Sequence, residues 1–162
     1  MDLALAWTPS RLGASALVLG AALALGLPTP TTAATPQGVW LIDNKAAVRI
    51  YDCGAQLCGR VVWLYKPRDA QGQLDRDFRN PSPSLRTRLV CGLTMIWALR
   101  PDGPNRWRDG WFYNPRDGGT YHVSARLKSD DVLLVRIYAL IPLFGETKTL
   151  ARTLPGTTDG WC

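Results

Sequence analysis

The chain has 162 residues, which allows one domain and leaves too few for two. Its 19 Lys and Arg residues against 13 Asp and Glu residues give a formal net charge of +6 at pH 7. A basic balance favours acidic partners such as anionic lipid, polysaccharide, nucleic acid or an anionic small molecule, although it also serves plain solubility.

The N-terminal segment has the three parts of a secretion signal. A positive charge at Arg11 precedes the apolar run Leu12–Leu27, and small residues follow up to Ala34. The alternative is a membrane anchor, but the run has about 16 residues and a membrane-spanning helix needs roughly 20. We therefore expect residues 1–34 to be a cleaved signal peptide and the mature, periplasmic or secreted form not to span a membrane. Export makes nucleic acid the least suitable partner.

The rest of the chain consists of short alternating runs separated by Gly, Pro, Asn and Asp, the pattern of an all-β domain. The clearest run is the sixth, in which Tyr121, Val123 and every second residue to Leu127 share one face. Eight such runs predict an eight-stranded antiparallel up-and-down barrel over residues 35–153 with a tail at 154–162, and a two-sheet sandwich is the alternative. The predicted strands are Val39–Asp43, Ala46–Tyr51, Leu57–Tyr65, Arg88–Leu99, Arg106–Tyr113, Thr120–Lys128, Val132–Leu140 and Thr147–Thr153.

An up-and-down strand order sends the connections alternately to two ends of the barrel. The long segment 66–87 lies at one end and is expected to border a mouth, because loops of this length in small domains are usually functional or disordered. Gly38-Val39-Trp40 and Arg152 lie at the other end, where closure joins the first and last strands. We expect Arg152 to cover the Trp40 ring through a cation–π contact. Gly-x-Trp on the first strand with Arg on the last also resembles the short structural signature of lipocalins.

Four cysteines lie after the predicted signal, and an even count in an exported domain indicates two disulfides. Cys53 and Cys58 flank the turn between the second and third strands, so we expect them to pair. Cys91 begins the fourth strand at the opposite end, which leaves Cys162 as its intramolecular partner. A free Cys91 with an intermolecular Cys162 is the alternative. No metal site is expected, because zinc would need paired C-x-x-C spacings or histidines, and His122 is the only histidine.

The chain lacks the patterns of common enzyme sites. It has one histidine and one glutamate, and no Gly-x-Ser-x-Gly, phosphate loop or dinucleotide fingerprint. His122 alternates onto the polar face of its strand, where we expect it to face solvent. Asp75 and Asp77 could form a carboxylate pair, but the arginines around them favour the ionised forms over a general acid. We therefore expect no enzymatic activity and no cofactor.

The interior of an eight-stranded barrel is wide enough to be filled by side chains or to hold one small ligand. Of the seven tryptophans in the chain, those beyond the predicted signal are expected to lie mostly in the core. The sequence favours a core filled by side chains, and the alternative is a cup-shaped cavity that holds a ligand.

A series of short motifs runs in order between Gln37 and Thr153. They are Cys53-Gly54, Leu57-Cys58-Gly59-Arg60, Asp77 with Asn80-Pro81 and Leu85-Arg86, Cys91-Gly92-Leu93, Gly110-Trp111 with Tyr113, Pro115, Asp117-Gly118 and Tyr121, Leu134-x-Arg136, and Phe144-Gly145-x-Thr147 with Arg152. Together they resemble a bacterial family of exported proteins that is catalogued as a domain of unknown function and described as lipocalin-like. The resemblance implies a lipocalin-like barrel, export and no established activity. Leu150 and Asn114 depart from the family pattern, where Trp and Asp are expected, and the tail lies outside it.

These observations favour an exported binding protein that holds a small apolar or anionic amphiphile in the barrel. The loop from residue 66 to residue 88 carries six basic residues against three acids, and Arg86 is the residue expected to bind an anionic head group. The alternative is a cell-envelope interaction module with a filled barrel, which binds a protein or an acidic polymer through its basic surface. The candidate ligand-binding residues, each of which could instead brace the structure, are Asp77, Asn80, Arg86, Tyr113, Tyr121 and Arg136.

Overall fold

A computed structural model describes residues 35–153 and Cys162. The predicted signal peptide at 1–34 and residues 154–161 of the predicted tail lie outside the described residues. Among the described residues the structure contains no helix with the length and hydropathy of a membrane-spanning segment. The strands are β1 (Gly38–Ile42), β2 (Ala46–Asp52), β3 (Leu57–Leu64), β4 (Thr94–Pro101), β5 (Arg106–Asn114), β6 (Gly119–Ser129), β7 (Val132–Tyr138) and β8 (Glu146–Thr153), and two single-turn 3-10 helices span Pro83–Leu85 and Pro142–Phe144.

All eight strands form one closed antiparallel barrel in sequence order, with β8 pairing back onto β1. The closing pair runs from Val39 opposite Thr153 to Ile42 opposite Leu150. The predicted eight-stranded up-and-down barrel is therefore confirmed, and the sandwich alternative is wrong. Closure also leaves the sheet without an exposed edge strand that could pair with another chain.

The fourth strand begins later than the sequence predicts, at Thr94 instead of Arg88. The intervening segment pairs with the long loop: Arg88 accepts a backbone hydrogen bond from Asp77, and Val90 donates one to Asp75. Residues 88–90 therefore belong to a small bridge within the loop, residues 92 and 93 hydrogen-bond to Val61 of β3, and β4 starts only after them.

Successive turns place the connections at two opposite ends of the barrel. The mouth end carries the turns at 43–45, 115–118 and 139–145 and the long segment 65–93. The closure end carries the turns at 53–56, 102–105 and 130–131, together with the entry to β1 and the exit from β8.

Inward-facing side chains fill the closure half of the barrel. Trp40, Leu99 and Leu133 are among its largest fully buried side chains. On β6, Val123 and Leu127 are buried, as the alternation along that strand predicts. Removing this apolar surface from water is the main favourable term in folding.

The tryptophans do not form the predicted core. Among the described residues, Trp40 is the one tryptophan with no exposed surface. Trp97 and Trp111 face each other across β4 and β5, and Trp111 is 38% exposed. Their neighbours Ile96 and Phe112 pack into the core, so alternation along each strand turns the two indoles outward.

A single arginine holds the closure end. The Arg152 guanidinium lies 4.2 Å from the centroid of the Trp40 ring, in the geometry of a cation–π contact. It also donates hydrogen bonds of 2.6 Å to the backbone carbonyls of Gln37 and Thr35. Arg152 on the last strand therefore fastens the segment that leads into the first.

The Gly-x-Trp pattern has a local physical cause. The backbone of Gly38 has a φ of 137°, which side-chain-bearing residues rarely adopt, and a Cβ there would collide with the Arg152 guanidinium. Two residues later, the Trp40 indole N–H donates to the Pro36 carbonyl at 2.8 Å. Glycine at position 38 therefore makes room for the arginine that covers Trp40.

Two disulfides join Cys53 to Cys58 and Cys91 to Cys162, with Cα–Cα distances of 5.8 Å and 5.5 Å. The first closes the turn between β2 and β3. The second ties the C-terminal cysteine to the end of the long mouth segment, and the Cys162 amide donates to the Val62 carbonyl at 3.0 Å. These are the pairs that the strand order predicts.

We expect Arg152→Lys to lower the free energy of unfolding by about 1–3 kcal/mol, because an ammonium group keeps the charge but cannot reach both carbonyls while covering the ring. Urea denaturation measures the change. The matched control is Arg49→Lys on β2, whose side chain is exposed, and its effect should stay within about 0.5 kcal/mol. Equal effects of the two substitutions would contradict the closing role of Arg152.

Candidate ligand-binding site

The mouth half of the barrel is hollow. A cavity of about 660 Å³ lies there, bordered by residues of the turns at 43–45, 115–118 and 139–145. This volume is typical of sites for small molecules. The interior is thus a filled core at the closure end and a cup at the mouth end. The apolar residues that line the cup are Ile42, Ala46, Val48, Met95, Ile96, Phe112, Val135, Ile137, Ala139, Phe144 and Leu150. Five of them, Val48, Met95, Ile96, Val135 and Leu150, also belong to the buried core.

A second space of about 340 Å³ lies beside the cup, under the long segment 65–93. Ala46 and Met95 line both spaces, so they stand at the junction between them. Phe78 and Arg79 of the long segment line the outer side of the smaller space. The long segment therefore encloses a space that adjoins the cup outside the strands of the barrel.

Charged side chains of both signs surround the cup. Lys148 Nζ lies 2.7 Å from the Glu146 carboxylate and 3.2 Å from that of Asp43, so one cation offsets two anions. Hydrogen bonds to Glu146 first and then to Asp43 raise the pKa of Lys148. Lys45 and Arg116 also line the cup, are exposed, and form no ion pair with any carboxylate of the described residues. These two cations remain open to an anionic ligand.

The rim is less basic than the sequence predicts. Of the six basic residues in the long loop, only Arg76 and Arg79 line the two spaces. Arg88 is paired with a buried carboxylate, and Arg86 lies outside the lining of both spaces. The structure therefore does not place Arg86 at the cavity.

Three of the predicted site residues bind one another beneath the long segment. Asp77 and Asn80 are the buried polar residues of the described chain, at 0% and 4% exposure. Tyr113 on β5 donates its hydroxyl proton to Asp77 Oδ1 at 2.5 Å, and the Asn80 amide donates to Asp77 Oδ2 at 2.8 Å. Arg88 supplies the opposite charge, with Nε and Nη2 each 2.8 Å from Oδ2. Such partners are what a buried carboxylate requires, and here they fix the loop to the barrel.

Burial and the hydrogen bond to Asp77, in that order, raise the pKa of Tyr113 above its usual value of 10.0. The phenol is therefore protonated at neutral pH and acts as a donor to the carboxylate. Its ring also receives the Arg88 guanidinium at 5.2 Å from the ring centroid. The group is fully satisfied within the protein and does not face the cup.

Arg88 is the member of this network that the sequence analysis missed. Arg86, two residues earlier, instead donates from Nε to the Asn80 carbonyl at 2.8 Å. Which arginine reaches Asp77 depends on the pairing of residues 88–90 with residues 75–77, and no local pattern reveals that pairing.

The remaining two candidates lie on different faces of the barrel. Tyr121 lines the cup and donates to Asp117 at 3.1 Å, and this hydrogen bond raises the pKa of Tyr121. Arg136 is on the outer face, where it donates to the carbonyls of Pro142 and Leu143 in the turn between β7 and β8. Of the predicted candidates, Tyr121 alone lines the cup.

We expect Tyr113→Phe to lower the free energy of unfolding by about 1–3 kcal/mol at neutral pH, because it leaves one oxygen of a buried carboxylate without its donor. The difference from wild type should shrink above pH 10. Because folding raises the pKa of Tyr113, the proton on its hydroxyl stabilises the native state. This stabilisation is fully present below the pKa of Tyr113 in the unfolded chain and is lost as the pH rises through its pKa in the folded protein.

Urea denaturation between about pH 8 and about pH 11 measures both effects. Tyr65→Phe is the matched control, because Tyr65 is 64% exposed and its replacement should change stability by no more than about 0.5 kcal/mol. A difference between Tyr113→Phe and wild type that grows above pH 10 would contradict the assignment.

Comparison with known proteins places this fold. Residues 38–152 match the family model described as "Uncharacterized protein conserved in bacteria (DUF2147)". Among solved structures, the chain is similar to HP1028 from Helicobacter pylori, described as belonging to the lipocalin family, with 24% identity, a TM-score of 0.62 and coverage of 74% of this chain and 83% of that one. This likeness shows a lipocalin-like fold, and no curated protein matches at a significant level. Because the family match spans the whole barrel, the chain belongs to the bacterial DUF2147 family.

Proposed function

We propose that this protein is an exported carrier that holds a small amphiphile, with its apolar body in the barrel cup and its anionic head at the rim. The observation that carries the proposal is the cup of about 660 Å³, whose lining combines apolar side chains with charged ones such as Lys45 and Arg116. Sites for small molecules bury the apolar part of a ligand and use polar groups to orient it. The mouth half of this barrel offers both kinds of contact to an amphiphile.

The head group of the ligand is assigned to Arg116, with Lys45 as a second cation. Both line the cup, and neither has a carboxylate partner among the described residues. A guanidinium binds a carboxylate or phosphate through two parallel hydrogen bonds, which gives Arg116 the better geometry for a terminal anionic group. Tyr121, whose hydroxyl lies beside Asp117, offers a neutral polar contact on the same rim.

Export to the periplasm or the exterior is part of this proposal. It rests on the signal-like pattern up to Ala34 and on the two disulfides, which persist in oxidising compartments. The protein would then meet lipids and other envelope amphiphiles, and nucleic acid would not be its partner. Carriage, and not catalysis, is the role assigned to it.

The second candidate function is an envelope interaction module that binds an acidic polymer. A groove of about 470 Å³ on the outer face of the barrel favours it, because Arg106 and Arg126 line the groove and lie directly opposite each other. Like charges in such a cross-strand pair repel unless an anion lies between them. Polymer binding that requires Arg106 and Arg126 but not the cup would support this function.

Ala46→Phe tests the cup, because the added ring occupies the junction of the two mouth spaces. We expect it to weaken the binding of a fluorescent fatty acid by about tenfold or more. The matched control is Ala151→Phe, the same substitution at an exposed position of β8, which should leave the affinity unchanged. Binding that tolerates Ala46→Phe would show that the ligand lies outside the cup.

Arg116→Gln tests the head-group assignment in the same titration. We expect it to weaken binding of the anionic probe about three- to tenfold and to leave binding of the corresponding fatty alcohol unchanged. Arg86→Gln is the control, because Arg86 is also exposed but lies outside the lining of both spaces. A larger loss with Arg86→Gln than with Arg116→Gln would contradict the assignment.

A further inference from the structure

The turn between β7 and β8 exposes an unusual amount of apolar surface. Leu140 is 86% exposed, Leu143 75% and Phe144 81%, and Ile141 between them is 47% exposed. Runs of exposed apolar residues are rare in monomeric proteins and mark a functional contact where they occur. We call residues 140–144 the apolar turn.

The apolar turn is held in place by specific contacts. The Arg136 guanidinium donates hydrogen bonds to the carbonyls of Pro142 and Leu143, the latter at 3.0 Å, and to Thr147 Oγ1 at 2.7 Å. Gly145 lets the chain return against β7, because a Cβ at that position would collide with the Ile137 carbonyl. The turn therefore presents its side chains to solvent on a fixed backbone, with little ordering left for a binding partner to impose.

Other exposed apolar side chains lie at the same end of the barrel. Tyr65 is 64% exposed, Phe78 57% and Leu85 42%, all in the long segment 65–93. By contrast, among the described residues Trp111 is the one large exposed apolar side chain outside the mouth end. Exposed apolar surface is thus concentrated at the mouth end of the barrel.

The mouth end also carries an excess of exposed positive charge. Its exposed cations are Lys45, Lys66, Arg68, Arg79, Arg86 and Arg116, and its exposed anions, with Glu146 at the start of β8 included, are Asp43, Asp69, Asp117 and Glu146. An apolar turn at an end with net positive charge is complementary to a bilayer surface that contains anionic lipids, where acyl chains and negative head groups lie side by side.

We propose that the mouth end of the barrel docks on an anionic lipid surface, with the apolar turn inserted at the boundary between head groups and acyl chains. Leu140, Leu143 and Phe144 supply the inserted area, and Arg136 is the positioning residue that keeps the turn rigid. The cations around the mouth supply attraction to the negative head groups. This docking does not require the cup to hold a ligand.

Docking has a consequence for the cup if the proposed carrier function is correct. Phe144 is both exposed on the apolar turn and part of the cup lining. Insertion of the turn would bring the opening of the cup to the lipid surface, so an amphiphile could pass between the bilayer and the cup without crossing water. The class of ligand would then be a single membrane-derived amphiphile.

Vesicle flotation tests the docking directly. The probes are vesicles of phosphatidylcholine alone and of phosphatidylcholine with phosphatidylglycerol. We expect the protein to float with the phosphatidylglycerol vesicles, and Leu140→Ser/Leu143→Ser to weaken this binding at least about tenfold. Both substituted residues lie outside the cup lining, so the double variant should still bind fatty acid. Flotation therefore tests lipid docking, and fatty acid binding tests the carrier function independently. The wild-type protein and all variants are prepared with the same N-terminus. Differences in flotation between them therefore report on the apolar turn.

Trp111→Ser is the control, because it removes a large exposed side chain from the side of the barrel and should leave flotation unchanged. Raised salt should weaken the preference for anionic vesicles, since exposed charges are screened. Flotation that is unchanged by Leu140→Ser/Leu143→Ser, or no flotation of the wild-type protein, would overturn the proposal. The proposal would also be overturned by a dimer that is detected by sedimentation and dissociated by this double substitution. A second copy of the chain would then be the partner of the apolar turn.

Discussion

Closure of the eight-stranded sheet gives the chain one interior, and each inward-facing position must serve there as core or as cavity wall. The two roles are separated along the barrel axis. At the closure end, Trp40, Leu99 and Leu133 are fully buried and fill the space. At the mouth end, inward-facing residues such as Phe112 and Ile137 surround open volume. One half of the barrel can therefore stabilise the fold while the other half remains available for a ligand.

The long segment 65–93 depends on a buried carboxylate. Asp77 has no exposed surface, yet Tyr113, Asn80 and Arg88 together satisfy it. A group of this kind stabilises only the arrangement in which all its partners are present, because any other arrangement leaves a charge buried and unpaired. The network thereby fixes the segment over the smaller mouth space. Its residues form the frame of the site, and Ala46 and Arg116 line both mouth spaces.

Strand alternation and turn chemistry in the sequence were sufficient to predict the barrel, its closure by Arg152 over Trp40, and seven of the eight strands to within about two residues at each end. The predicted start of β4 was wrong, because residues 88–90 pair with residues 75–77 inside the loop and do not extend the strand. The tryptophan prediction failed because it rested on composition. Alternation along β4 and β5 puts Ile96 and Phe112 in the core and turns their neighbours Trp97 and Trp111 outward.

The candidate site was harder to predict than the fold. Alternation separates inward from outward residues but does not give their depth, so it could not distinguish Leu127 in the filled half from Tyr121 in the cup. Arg86 and Arg88 are equivalent in the sequence, and long-range pairing alone decides that Arg88 meets Asp77. The apolar turn carried a usable signal, since Leu140-Ile141-Pro142-Leu143-Phe144 is an apolar run that interrupts the strand pattern.

Native mass spectrometry of the protein isolated from its host tests most directly whether the mouth half of the barrel is a binding cup. We expect a chain that begins after Ala34, together with a small noncovalent amphiphile that denaturation releases and that the Ala46→Phe protein lacks. A wild-type protein that carries nothing from its host, and that binds no fatty acid afterwards, would contradict the account and favour the interaction module.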